Sequence, residues 1–203
     1  MIRDTVIQIV NRYRNAEPSV SGPGTISRLM YTTGHKAGSI YQMDMAYATS
    51  TALGLALARP DQRVIAVEGD GSIIAAMSVF STIGRYQPAN LVVVIIDNAV
   101  YASAGDGSVR TGTACGTDIA AIARACGVPP EQASTVETEA QAETAIQRAF
   151  TEPGPWVIVA RVSDADKRVM QGAKSRGVIP FGLAEMANNL RRDLENRPST
   201  PPS

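Results

Sequence analysis

The chain has 203 residues, with nineteen basic and nineteen acidic side chains cancelling to a formal charge of zero. That balance excludes the basic footprint that nucleic acid or an anionic membrane surface requires, and the longest apolar runs are too short to cross a bilayer. Cys115 and Cys126, the two cysteines, lie eleven positions apart with no CxxC, which excludes a zinc or iron–sulfur framework and points to reduced thiols in a cytoplasmic protein.

Ile2, Val6, Ile9, Val10 and Tyr13 recur at helical spacing. The chain therefore opens with an amphipathic helix through these residues, and residues 1–17 do not read as a signal peptide, whose apolar core and cleavage site they lack. A short strand near Ser19–Ser21 follows, then Gly22-Pro23-Gly24 as a turn and a helix through Ile26, Leu29 and Met30 that ends before Gly34. DMAYATSTALGLALA, residues 44–58, is small and apolar on most sides and predicts a buried helix, closed by Arg59-Pro60-Asp61. Residues 63–68 predict a strand and 72–84 a helix ending at Gly84. The β-branched run LVVVIID at 91–97 reads as a strand buried on both faces. Asp118 caps a helix that reaches Cys126, with Gly127 after it. Residues 139–149 form a further helix, WVIVARV at 156–162 another buried strand, and 183–195 a last helix. Strands alternating with helices predict an α/β fold, a parallel sheet with helices on both faces. A single domain is expected over 1–196, and the Pro/Ser tail 197–203 is expected to be disordered.

Gly69-Asp70-Gly71-Ser72 sits where a buried strand gives way to a helix. In open α/β sheets ligands bind beyond the carboxyl ends of the strands, and the first amides of a helix favour a phosphate. A carboxylate there repels phosphate unless a cation lies between them. Magnesium suits that position, since it is commonly held by one or two carboxylates plus substrate phosphates. The helix climbs roughly 20 Å at about 1.5 Å per residue, and the strand at 91–97 descends a similar length at about 3.3 Å per residue. The chain thus returns to the level of Asp70 at Asp97-Asn98, where the Asn98 amide oxygen and a backbone carbonyl just beyond offer further ligands.

GDGS followed at this distance by Asp97-Asn98 resembles the thiamine diphosphate signature of decarboxylases and related enzymes. The resemblance implies a thiamine-diphosphate-binding fold, with Mg²⁺ held by Asp70, Asn98 and the carbonyl of Val100. It implies diphosphate contacts from Gly69, Gly71 and Ser72, and it adds Tyr101 to the cofactor-binding set. Upstream, MDMAYATSTALGLALARPD at 43–61 is similar to the family's stretch in which a bulky apolar residue props the cofactor into a V shape. Met45 falls on that position, and the Met43 carbonyl would accept from the cofactor's 4′-amino group. VSGPGTISRLMYTTGHKAGSIYQMDMA at 20–46 and DNAVYASAG at 97–105 resemble, more narrowly, the sulfopyruvate and phosphonopyruvate decarboxylases. By that resemblance the cofactor adds to the keto carbon of a 2-oxo acid, CO₂ leaves, and an aldehyde is released. The glutamate that activates the pyrimidine ring lies in the family on a separate domain. It is expected here on a second polypeptide, a pyrimidine-binding α subunit of a hetero-oligomer, α2β2 or larger.

Other residues carry open alternatives. His35, the only histidine, is read as a surface loop residue, or else as a group that protonates an intermediate or holds an anionic substrate. Arg28 and Arg110 suit a sulfonate or phosphonate, since guanidinium pairs well with such oxyanions, or serve in ordinary surface pairs. Glu68 is read as structural, and Cys115 as a bystander. A split carboligase of the acetolactate or acyloin type shares the cofactor residues, and a non-catalytic cofactor-binding module is the alternative of another class. A nicotinamide site is disfavoured, because no GxGxxG follows the first strand.

Overall fold

A computed structural model describes residues 1–101, 109–163 and 178–197. Its centre is a six-stranded, all-parallel sheet of β1 (Ser19–Ser21), β2 (Ser39–Ile40), β3 (Val64–Gly69), β4 (Leu91–Asp97), β5 (Ala133–Val136) and β6 (Trp156–Arg161), in the order β2-β1-β3-β4-β6-β5. Every residue of β4 is buried, as are nearly all of β3 and β6, which is why these strands read as unbroken Val/Ile runs. Each fully buried Val or Ile there stabilises the fold by roughly 1.5–3 kcal/mol.

Among the described residues eight α-helices surround the sheet: α1 (Arg3–Tyr13), α2 (Thr25–Gly34), α3 (Ala48–Ala58), α4 (Asp70–Ile74), α5 (Val79–Tyr86), α6 (Ile119–Ala125), α7 (Glu139–Thr151) and α8 (Leu183–Glu195). Helix α1 packs on α2 and α7, which form one layer, while α5 packs on α3 and α6 in a second; α8 lies against β2 at one end. The Asp118 carboxylate accepts from the Ala121 N–H and starts α6 as its sequence implies, and Thr138 with Gln141 forms a full capping box on α7.

Several elements depart from expectation. The helix over 72–84 is two helices, α4 and α5, separated by turns at 75–78 whose hydrogen bonds run i to i−3. Residues 75–78 hold no Pro or Gly, so the break is tertiary: α4 is pinned to the strand tips, whereas α5 lays Val79, Phe80 and Ile83 into the core. Gly84 does not end α5, which runs on to Tyr86 with Gln87 in the left-handed region as its cap. A Cβ on Gly84 would stand 1.8 Å from the Cys126 carbonyl oxygen, so this glycine serves the close approach of α5 to the end of α6. Helix α3 starts at Ala48, four residues later than its composition suggests, and only one side of it is covered; Gly54, Leu57 and Ala58 are exposed. The short strands β2 and β5 have no counterpart in the sequence reading. Arg197, assigned to the tail, is held by Asp193, Gln62 and the Ala16 carbonyl, and the rest of the tail, 198–203, lies outside the described residues.

Candidate functional site

The strand order reverses direction between β1 and β3, which puts a crevice between the segments that leave their carboxyl ends. A cleft lies there. Its walls are Pro23, Gly24, Thr25 and Ile26 after β1, Gly69 to Ser72 after β3, Ile96, Asn98, Val100 and Tyr101 from β4 onward, together with Met45 and Arg3. The register explains how β3 and β4 meet: Gly69 pairs with Ile96, so Asp70 and Asp97 come level one step further on.

Asp70 is 2% exposed and Asp97 3%. The Thr113 hydroxyl lies 3.0 Å from Asp70 Oδ2 and 2.7 Å from Asp97 Oδ1, so the two carboxylates share one hydroxyl. The Thr111 hydroxyl donates to the same Oδ2 at 2.5 Å. Burial pushes the Asp70 carboxyl above its ordinary pKa and the Asp97 charge adds to this, while the two threonines and the Gly71 backbone pull it partly back. Arg161 reaches Asp97 only at 3.8 Å. Asn98 Oδ1 accepts from the Val100 N–H at 3.2 Å, and Ala99 takes a positive φ of 62°, bending the chain so that Val100 follows on the cleft wall. Asp70, Asn98 and Val100 thus border one cleft, and between them they carry a carboxylate, an amide oxygen and a backbone carbonyl. All are hard oxygen donors of the kind Mg²⁺ takes, and the excess of buried negative charge fits a cation.

Gly71 packs under Tyr101: a Cβ there would lie 2.4 Å from the ring. Ser72 uses its hydroxyl inward, donating to Glu68 Oε1 at 2.5 Å and accepting from the Ala46 N–H at 3.0 Å. Its side chain is therefore committed, and its backbone remains as the part able to meet a diphosphate. Glu68 is fully buried and its Oε2 accepts from both the N–H and the hydroxyl of Thr49, in the first turn of α3. It caps that helix from the neighbouring strand, the structural role its position suggested. Met45 lines the cleft at 42% exposure, and Met43 is half-buried with its N–H on the Ser21 carbonyl.

His35 is not brought into the cleft. It follows the last residue of α2, whose ten residues start at the cleft and run about 15 Å away from it. There its Nδ1 lies 3.0 Å from the Tyr41 hydroxyl and its ring stacks on Phe181. His35 is not among the residues that line the cleft. Arg28 is half-buried on α2, one turn beyond Thr25, and Arg110 is exposed, donating to the Ala114 carbonyl at 2.5 Å. Cys115 is exposed at the end of the 3₁₀ turn that carries Thr113. Residues 102–105 of the DNAVYASAG stretch, with 106–108 of the following loop, lie outside the described residues.

Sequence reasoning missed Thr111, Thr113 and Arg3. The threonines reach the site because Tyr101 N–H donates to the Val109 carbonyl and Thr111 N–H to that of Ala99, folding 109–113 back onto the strand tips. Arg3 is delivered by the pairing of Ser163 N–H with the Met1 carbonyl, which draws the start of α1 to the same end of the sheet. Neither return leaves a local signal, although Thr-Gly-Thr directly follows Arg110.

Residues 25–160 match the family model described as "Thiamine pyrophosphate enzyme, C-terminal TPP binding domain". The sulfopyruvate decarboxylase subunit beta of Methanocaldococcus jannaschii is 35% identical over 78% of this chain and 81% of its own length. That of Methanococcus maripaludis is 31% identical over 83% and 88%. Phosphonopyruvate decarboxylase of Streptomyces viridochromogenes is 33% identical over 68% of this chain and 34% of its own. Among solved structures, benzoylformate decarboxylase from Polynucleobacter necessarius superposes with a TM-score of 0.68 at 20% identity, over 80% of this chain. The chain spans about a third of the length of that structure, so the likeness concerns the fold of one part of it.

Proposed function

The chain belongs to the thiamine pyrophosphate enzyme family through its C-terminal TPP binding domain, and on that footing we propose that it is the diphosphate-binding subunit of a 2-oxo-acid decarboxylase. Sulfopyruvate is the favoured substrate, with phosphonopyruvate second, in line with the relatives that match most of its length. The observation that carries the reading is the meeting of Asp70, Asn98 and Val100 on one cleft beside Gly69, Gly71 and Ser72.

In this reading Asp70, Asn98 and the Val100 carbonyl hold Mg²⁺, and the backbone at Gly69, Gly71 and Ser72 receives the diphosphate. Met45 supports the cofactor from the cleft wall, the Met43 carbonyl accepts from its amino group, and Tyr101 closes over Gly71. Bound thiamine diphosphate supplies the nucleophile for the 2-oxo carbon and the sink for the electron pair released with CO₂. Ile26, Met45 and Ile96 give the cleft apolar walls that limit water around the reacting carbon. Arg28 and Arg110 are the candidate partners of the substrate's sulfonate or phosphonate.

The pyrimidine-activating glutamate belongs to a pyrimidine-binding α subunit in a hetero-oligomer. The name "subunit beta" on two relatives supports this, as does the uncovered side of α3 beside Tyr47, which is 60% exposed two residues beyond Met45. Calorimetry tests the site: thiamine diphosphate binds the full chain in a Mg²⁺-dependent way, and Asp70→Ala abolishes binding. Undiminished affinity in that variant refutes the assignment. With the partner present, aldehyde release from sulfopyruvate supports decarboxylation, and coupling to an acceptor supports a carboligase instead.

A further inference from the structure

We propose that Thr111 and Thr113 are positioning residues for Asp70, fixing one carboxylate oxygen so that the other is presented to the metal ion of the cofactor complex. This deepens the reading above and rests on it. Two hydroxyls reach the Asp70 carboxylate, and both converge on Oδ2, at 2.5 and 3.0 Å. Their own oxygens are 2.9 Å apart, and Thr113 also reaches Asp97 Oδ1 at 2.7 Å.

Four oxygen–oxygen contacts are therefore served by two hydroxyl protons. A hydroxyl donates once, so Thr113 can satisfy Asp70 or Asp97 but not both. The cluster is rich in acceptors and short of positive charge. A cation beside Asp70 relieves that shortage without moving the threonines, because it needs the oxygen they leave. The arrangement has the form of a second coordination layer, in which groups behind a ligand set its direction. The hairpin that carries Thr111 also contains Val100 through its bridge to Arg110. One segment thus orients two of the three proposed ligands.

The test uses the full chain, with thiamine diphosphate fixed and Mg²⁺ titrated by calorimetry. Thr113→Val and Thr111→Val keep shape and remove the proton donor. Each is expected to raise the half-saturating Mg²⁺ concentration by roughly 10–100-fold, the usual effect of losing an outer-layer partner, while Thr→Ser at the same positions restores it. Circular dichroism and melting confirm that the variants fold, so a purely structural role predicts a lowered melting temperature with an unmoved Mg²⁺ requirement. If Thr111→Val, the more buried change, does not fold, Thr113→Val and Thr113→Ala decide. Wild-type binding that is lost in Asp70→Ala, combined with threonine variants within twofold of wild type, overturns this inference alone. A wild-type chain that shows no Mg²⁺-dependent binding overturns the cofactor reading beneath it.

Discussion

Replacing Thr49 by valine tests the buried carboxylate that ties α3 to the cleft. Glu68 Oε2 accepts from the Thr49 N–H at 3.1 Å and from its hydroxyl at 2.6 Å, while Oε1 accepts from Ser72 at 2.5 Å. Valine keeps the volume and the N–H but removes the charge-assisted bond, a loss of about 1.5–3 kcal/mol. The methyl gained in exchange, at a site already fully buried, offsets about 0.8 kcal/mol. The net destabilisation is then about 1–2 kcal/mol, which for a chain of this size lowers Tm by roughly 2–8 °C. Urea denaturation with linear extrapolation measures it. Because Ser72 donates to the other oxygen of the same carboxylate, Thr49→Val and Ser72→Ala are expected to be non-additive by more than about 0.5 kcal/mol. A Thr49→Val chain as stable as wild type, or a strictly additive double variant, refutes the view that Glu68 is held by these donors.

Two further outcomes follow from the packing. Gly84→Ala places a methyl against the Cys126 backbone, which cannot yield as a side chain can. Overpacking of about 1–3 kcal/mol outweighs the gain in helix propensity of about 1 kcal/mol, so the urea midpoint falls while the Mg²⁺-dependent affinity for thiamine diphosphate stays unchanged; an unaltered midpoint refutes the close approach. His35 is exposed overall, but partial desolvation of its ring beside Tyr41 and Phe181, with the charge of Arg14 added, holds the imidazole below its usual pKa. Between that lowered value and about 6.5 the unfolded chain binds more protons than the folded one, so stability rises with pH through this window and is lost as pH falls through it. Urea midpoints at pH 5.5 and 7.5 are expected to differ more in wild type than in His35→Gln, and equal differences refute the assignment.

The parts of the fold legible in the sequence are those whose signal is local. Strands β3, β4 and β6 are buried on both faces, so each is a continuous apolar run that needs no context to be seen. The strands β2 and β5 are edge strands of two and four residues, too short to show a pattern. The break between α4 and α5 escapes because it comes from what Ser72 and Gly71 touch, not from the residues at the break. The same division runs through the site. Asp70 and Asn98 are visible because both motifs stand at the carboxyl ends of apolar strands, and the pairing of Gly69 with Ile96 brings those ends level although the connecting helix is broken in two. Thr111 and Thr113 arrive through a hairpin whose register is set by backbone bonds, and no spacing announces it. His35 looks available as a lone histidine near the start of the motif region, yet the length of α2 carries it to the far end of the sheet.

Strand β4 matters during synthesis as well as afterwards. Leu91 to Ile96 are six consecutive apolar residues with neither charge nor proline, the composition of segments that stack with copies of themselves when left bare. Its neighbour β3 is already made when β4 appears, but β6 follows only from Trp156 onward. At about 5–20 residues per second, the roughly sixty residues between them leave one edge of β4 open for about 3–12 s on the ribosome. Asn90 and Asp97 bracket the run with polar groups, so the aspartate that shares a hydroxyl with Asp70 also stands guard against clumping of the nascent chain.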